Sequence, residues 1–130
     1  MSQSRHSFQS IDAQGETVRV VQLTDTHLCK SLGGTLLGMD TDHSLQAVID
    51  LVKKERSAVD LLLATGDLSD GGAPEAYGRL QGYLNQLTEA NYWLPGNHDS
   101  RPAMEAVAAS SASLCGEVRV SRWQILLLDS

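Results

Sequence analysis

An α/β domain with parallel strands is the fold class this 130-residue sequence predicts, and three features predict it. Short β-branched or apolar runs recur at residues 18–23, 60–65 and 91–94. Segments with the apolar spacing of helices separate them, and strands that alternate with helices pair in parallel. A last pair of runs, within 117–130, reads as a hairpin and points to mixed or layered sheets.

Residues 1–17 are polar and aperiodic and read as a loose lead-in. VRVVQL (18–23) is short and β-branched, a strand. Gly33, Gly34 and Gly38 make 29–41 a long loop. Asp42 is then placed to cap a helix, with Leu45, Val48, Ile49 and Val52 forming its apolar stripe. DLLLAT (60–65) is apolar enough for a strand covered on both faces. Pro74 suits the first turn of a second helix, with Tyr77, Leu80, Leu84 and Leu87 on one side. NYWL (91–94) is the third strand. Pro102 opens a short helix to about Ala109, and the closing hairpin turns at Ser121-Arg122.

The bulk properties exclude several functions. A formal net charge of -6 argues against a nucleic-acid surface. MSQSRHSFQS lacks the apolar segment of a secretory leader, and no apolar run approaches the length of a membrane span. Cys29 and Cys115 are too few for a disulfide framework, so the cytoplasm is the expected compartment.

Each predicted strand runs into polar residues. The first ends at Asp25 and His27, the second at Asp67 and Asp70, the third at Asn97, His98 and Asp99. Ligands of open α/β sheets bind beyond the carboxyl ends of the strands, so parallel neighbours deliver all three groups to one edge. Carboxylate, imidazole and amide donors without thiolates favour Mn, Fe, Zn or similar ions. Asp25 and His27 can share an ion if the chain kinks there. Asp67 has two oxygens and can bridge two ions, and Asn97 offers a neutral carbonyl to the second. Taken singly, Asp25, Asp67 and Asn97 could be ordinary turn residues, and their order along the chain carries the reading. His6 and His43 read as solvated, and Cys29 as a small apolar residue.

Asp-x-His in LTDTHL, Gly-Asp-x-x-Asp in ATGDLSD and Gly-Asn-His-Asp in WLPGNHD resemble, in that order, the calcineurin-like metallophosphoesterase family. Within it, the bacterial class III cyclic-nucleotide phosphodiesterases that act on cyclic AMP are the closer likeness, shared by PEAYGRL, RPAM and WQILLLDS. The resemblance runs from about Val18 to Ser130. It implies a four-layer αββα sandwich, of which 18–130 would be the N-terminal half. It also implies two divalent metal ions, Fe or Mn, and hydrolysis of 3′,5′-cyclic AMP to 5′-AMP, with the small cyclic nucleotide as the partner. Asp25 and His27 would then ligate the first metal, Asp67 both, and Asn97 the second. His27, Asn97 and His98 would contact substrate. His98 would assist the leaving alkoxide with Asp99 orienting it, and Asp70 would be structural.

The family completes its site with a later His and a Gly-His-x-His segment, whereas the histidines here are His6, His27, His43 and His98. The expectation is therefore a chain short of three ligands, with WQILLL exposed and prone to self-association. The alternatives are another phosphodiester or nucleotide pyrophosphate substrate, or a catalytically inactive fragment serving as a binding or assembly module.

Overall fold

The computed structural model of the protein describes residues 8–11, 17–55, 59–108 and 113–128. In chain order its elements are β1 (Phe8–Ile11), β2 (Val20–Leu23), β3 (Thr35–Leu36), β4 (Met39–Asp40), α1 (Thr41–Glu55), β5 (Leu61–Thr65), α2 (Pro74–Asn85), β6 (Asn91–Leu94), α3 (Arg101–Val107), β7 (Glu117–Val120) and β8 (Trp123–Leu126).

The three predicted strands form one parallel sheet in the order β2-β5-β6. Val20 pairs with Leu61 and Leu62 with Asn91, so the three carboxyl ends finish side by side. Successive residues point to opposite faces of a strand, and β5 buries both. Leu62 and Ala64 pack with Leu45, Ile49, Tyr77, Leu80 and Leu84 of the helices. Leu61 and Leu63 pack with Val118 and Val120 beneath. β6 divides likewise, with Trp93 towards the helices and Tyr92 away from them.

Val118 and Val120 belong to a second sheet, ordered β1-β7-β8. The layers are thus helices, sheet and sheet, three of the four that an αββα sandwich has. The hairpin is as expected, with β7 and β8 antiparallel across Ser121 and Arg122.

Three expectations need correction. Within the supposed lead-in, Phe8–Ile11 is a strand pairing in parallel with β7, Phe8 opposite Glu117. Its FQSI pattern is too short and polar to announce a strand, because the partner supplies the reason for it. Residues 1–7 and 12–16, with His6, lie outside the described residues, as does Ala109 at the end of the third helix.

The supposed loop 29–41 contains the β3–β4 hairpin. Leu37 and Gly38 both have positive φ, 53° and 82°, as a two-residue turn of this kind requires. The helix cap is Asp40, whose Oδ1 accepts from the His43 amide at 3.0 Å.

Asp42 instead turns inward. It is buried and accepts from Arg79 Nε at 2.8 Å, Arg79 Nη2 at 3.1 Å and the Tyr83 hydroxyl at 2.6 Å. Burial and the neighbouring Asp42 carboxylate push the Tyr83 phenol up to about 12. Arg79 also donates to the backbone carbonyls of Cys29 and Lys30, tying α2 to α1 and to the loop beyond His27. Arg79→Ala would leave a buried carboxylate short of its cation. A loss of about 3 kcal/mol is expected, read as a lower urea midpoint at unchanged slope.

Candidate metal centre

The route from strand to site is a kink. Asp25, His27 and Asp67 all take positive φ, at 57°, 47° and 50°. Asp tolerates that region better than most side chains, and three such positions within two adjoining loops mark a backbone held by its surroundings, His27 above all. The holding bonds are clear. The loop after β2 lies along the loop after β5, with the amides of Asp25, His27 and Leu28 donating to the carbonyls of Gly66, Asp67 and Leu68. The Thr24 hydroxyl lies 2.7 Å from both the Thr65 carbonyl and Asp25 Oδ2. That hydroxyl, with His27 beside it, holds the exposed Asp25 carboxyl below the usual carboxylate range.

The kink brings the Asp25 carboxylate to the His27 ring, Oδ1 lying 3.5 Å from Nε2. One ligand atom from each of Asp25, His27 and Asp67 fits within 4.8 Å of the others. Asn97, from the loop after β6, brings its side-chain amide 3.1 and 3.3 Å from the two Asp67 oxygens. The four residues expected as ligands are therefore gathered at one edge of the sheet.

Gly96 permits this approach. A methyl group there would collide with the Asp67 amide and carboxylate, so the third loop reaches the second only without a side chain.

The two histidines meet beside Asp70. His27 Nδ1 is 3.3 Å and His98 Nδ1 3.8 Å from Asp70 Oδ1, and the rings meet edge to face with centroids 5.3 Å apart. His27, Asp70 and His98 form a second trio with metal-ligand spacing. Hydrogen bonding accounts for this trio: a carboxylate that fixes one imidazole nitrogen frees the other for an ion. Asp70 thus braces His27 through Nδ1, while Nε2 faces Asp25. The His98 amide donates to Asp67 Oδ1 at 2.9 Å, and its Nδ1 lies 3.1 Å from the Asp70 carbonyl. A carbonyl only accepts, so that contact puts the Nδ1 proton on His98.

Asp99 does not meet the expectation of a partner for the His98 ring. Its Oδ1 accepts from the Ser69 amide at 2.8 Å and the Tyr77 hydroxyl at 2.7 Å. Its Oδ2 accepts from the amides of Leu68 at 3.0 Å and Gly96 at 2.8 Å. Both oxygens are committed to joining two loops, and the contacts of the His98 ring run to Asp70 and His27 instead. Tyr77, which the sequence offers only as part of an apolar stripe, completes this brace and accepts from the Ser100 amide at 3.0 Å. A buried phenol on a helix face gives no sign in the sequence that its hydroxyl has such a partner. Cys29 belongs to neither trio and packs under the β3–β4 hairpin, its Sγ 3.9 Å from Thr41 Oγ1.

The donor set suits a hard or borderline divalent ion: carboxylate oxygens and an imidazole nitrogen at ligand spacing, one ring already oriented by Asp70.

Comparison with known proteins shows the family. The model of the calcineurin-like phosphoesterase family matches residues 18–123. This chain belongs to that family. It is 42% identical over 127 residues to the 3′,5′-cyclic adenosine monophosphate phosphodiesterase CpdA of Pseudomonas aeruginosa, covering 98% of this chain and 46% of that protein. To a 3′,5′-cyclic-nucleotide phosphodiesterase of Nostoc it is 43% identical over 114 residues, 87% of this chain and 43% of the relative. A cAMP/cGMP dual specificity phosphodiesterase of Mycobacterium tuberculosis is 31% identical over 122 residues, 85% of this chain and 37% of its own length. The chain spans less than half the length of these curated relatives.

Two substitutions separate bracing from ligation. Asp99→Ala orphans three amides and a phenol and is expected to cost about 3 kcal/mol or more. Asp25→Asn, at an exposed carboxylate whose left-handed φ Asn also tolerates, should change stability by less than about 0.5 kcal/mol. Parallel urea unfolding of both variants checks the contrast.

Proposed function

We propose that this chain carries the strand-end side of a two-metal phosphodiesterase site acting on 3′,5′-cyclic AMP, with 5′-AMP as the product. The observation that carries the reading is the gathering of Asp25, His27, Asp67 and Asn97 at one sheet edge, together with relatives named as cyclic-nucleotide phosphodiesterases. Asp25, His27 and Asp67 would hold one ion, and Asp67 with Asn97 the second. Iron or manganese suits the oxygen and imidazole donors. Bound there, such a pair supplies Lewis-acid polarisation of a phosphodiester and acidifies water.

The remaining work falls to the residues around that pair. His98 keeps its Nδ1 proton towards the Asp70 carbonyl, so as general acid the ring would act as the imidazolium, its Nε2–H passing to the departing ribose oxygen and leaving the neutral Nδ1–H tautomer. Asp70 fixes His27 and stands beside His98, so one carboxylate sets the angle between the two rings. Asp99 acts at a distance, by holding the loops that present Asp67 and His98. The proposed compartment is the cytoplasm, whose reducing poise suits the free thiols of Cys29 and Cys115. Among the described residues no helix is long and apolar enough to cross a membrane.

A second reading, a module that binds or assembles without turnover, is favoured by one observation. No histidine follows His98 in these 130 residues, so the chain by itself offers few imidazole donors to a metal pair. Self-association belongs to the same reading. β8 is the outer strand of its sheet, and Trp123 and Leu126 are each 60% exposed.

A simple assay of the chain by itself tests the second reading. With added Mn²⁺, residues 1–130 are expected to turn over cyclic AMP poorly or not at all and to sediment as more than a monomer. A monodisperse monomer with fast turnover would defeat both parts. In a full-length enzyme built on this chain, Asp67→Asn should abolish activity even in excess Mn²⁺. His98→Ala should lower kcat while metal analysis still finds two ions per chain; loss of an ion on that change would make His98 a ligand instead.

A further inference from the structure

Beside the metal centre lies a groove of about 340 Å³ that none of the roles above employs. Asp25 and His27 stand at its polar end, α1 contributes Ser44, Leu45 and Val48, and the β3–β4 hairpin overhangs it with Leu36, Leu37 and Met39. We propose that this groove is the nucleobase subsite: it takes the purine ring of a nucleotide whose phosphodiester lies at the Asp25–His27 end. The inference rests on the phosphodiesterase reading and deepens it.

Four observations carry it. The groove is continuous with the metal-ligand cluster, since Asp25 and His27 line both. Its volume is in the range of small-ligand sites, apolar with a few polar groups. Its lining contains no Lys or Arg, so no long cationic side chain is there to clamp a second phosphate. An uncharged flat ring with apolar faces fits such walls, and the Ser44 hydroxyl in the lining can meet a polar ring edge.

The hairpin supplies the fourth. Leu37 is fully exposed and Met39 is 58% exposed, although both are large and apolar. Leu37 is also held at φ 53° in a turn that favours Asn or Gly. A leucine in a costly conformation, packed against little, is explained if its packing partner is a ligand. The same holds for Val48, a member of the apolar stripe of α1 that remains exposed and lines the groove while its neighbours Leu45 and Ile49 are buried.

The test separates base from phosphate. The metal-free chain, kept in EDTA, is titrated with adenosine while the methyl resonances of Leu37, Met39 and Val48 are followed by NMR. Those methyls are expected to move with adenosine and to stay still with inorganic phosphate. Leu37→Ser combined with Met39→Ser, both at exposed positions, should weaken adenosine binding roughly tenfold while the rest of the spectrum is kept. Still methyls, shifts confined to another face, or a double variant that binds like the parent would overturn the proposal. So would groove methyls that shift on dilution without nucleoside, since a second copy of the chain would then be the occupant. Mn²⁺ broadening of the Asp25 and His27 signals is read in a separate sample. Its absence alongside adenosine binding sinks only the metal reading, and its presence without adenosine binding sinks only this one.

Discussion

The carboxylate of Asp99 accepts from the amides of Leu68, Ser69 and Gly96 and from the hydroxyl of Tyr77, and much else follows from that convergence. Leu68 and Ser69 follow β5, Gly96 follows β6, and Tyr77 lies on α2. Hydrogen bonds to an ionised acceptor are among the stronger ones in a protein. Here they fasten two loops and a helix at a point between the core and the metal-ligand cluster. Asp67 and His98 lie on the loops so fastened, and the amide of His98 reaches Asp67 Oδ1. The Asp99 carboxylate therefore sets the spacing of Asp67 and His98.

The strained backbone is the other half of the arrangement. Left-handed φ at Asp25, His27 and Asp67 turns each side chain out of the alternation that a strand would impose. Without that turn, residues two apart such as Asp25 and His27 would share a face of the sheet rather than converge beyond its end. The cost is met locally by the ladder of amides from Asp25 to Leu28 on the carbonyls of Gly66 to Leu68. Glycine then clears the space, because only at Gly96 can the third loop come this close to Asp67.

The sequence shows the parallel sheet and its helices because β5 and the stripes of α1 and α2 follow simple periods. The convergence of Asp25, His27, Asp67 and Asn97 was also legible, since each follows a strand and parallel strands end together. What could not be read depends on partners distant in sequence. FQSI becomes a strand only beside β7, and Asp42 turns inward only because Arg79 and Tyr83 come from another helix. Asp99 follows His98 directly, so adjacency suggests that it orients the ring, whereas the backbone aims its carboxylate into the loops. The β3–β4 turn was obscured because Leu37 is a poor residue for a left-handed position, which only its glycine neighbour hinted at.

The pairing of β1 with β7 carries a consequence for the order of folding. The helices and the β2-β5-β6 sheet are joined by successive strand–helix–strand connections. β1 must instead meet β7, which follows it only after every element of that sheet. Closing so long a loop costs entropy before any contact repays it, and topologies with such contacts fold slowly. During synthesis the β2-β5-β6 sheet can assemble while β7 is still unmade, and the lower sheet must wait. The half of the core beneath β5 is thus the later one to form, and the sheet that waits is the one with an exposed outer strand.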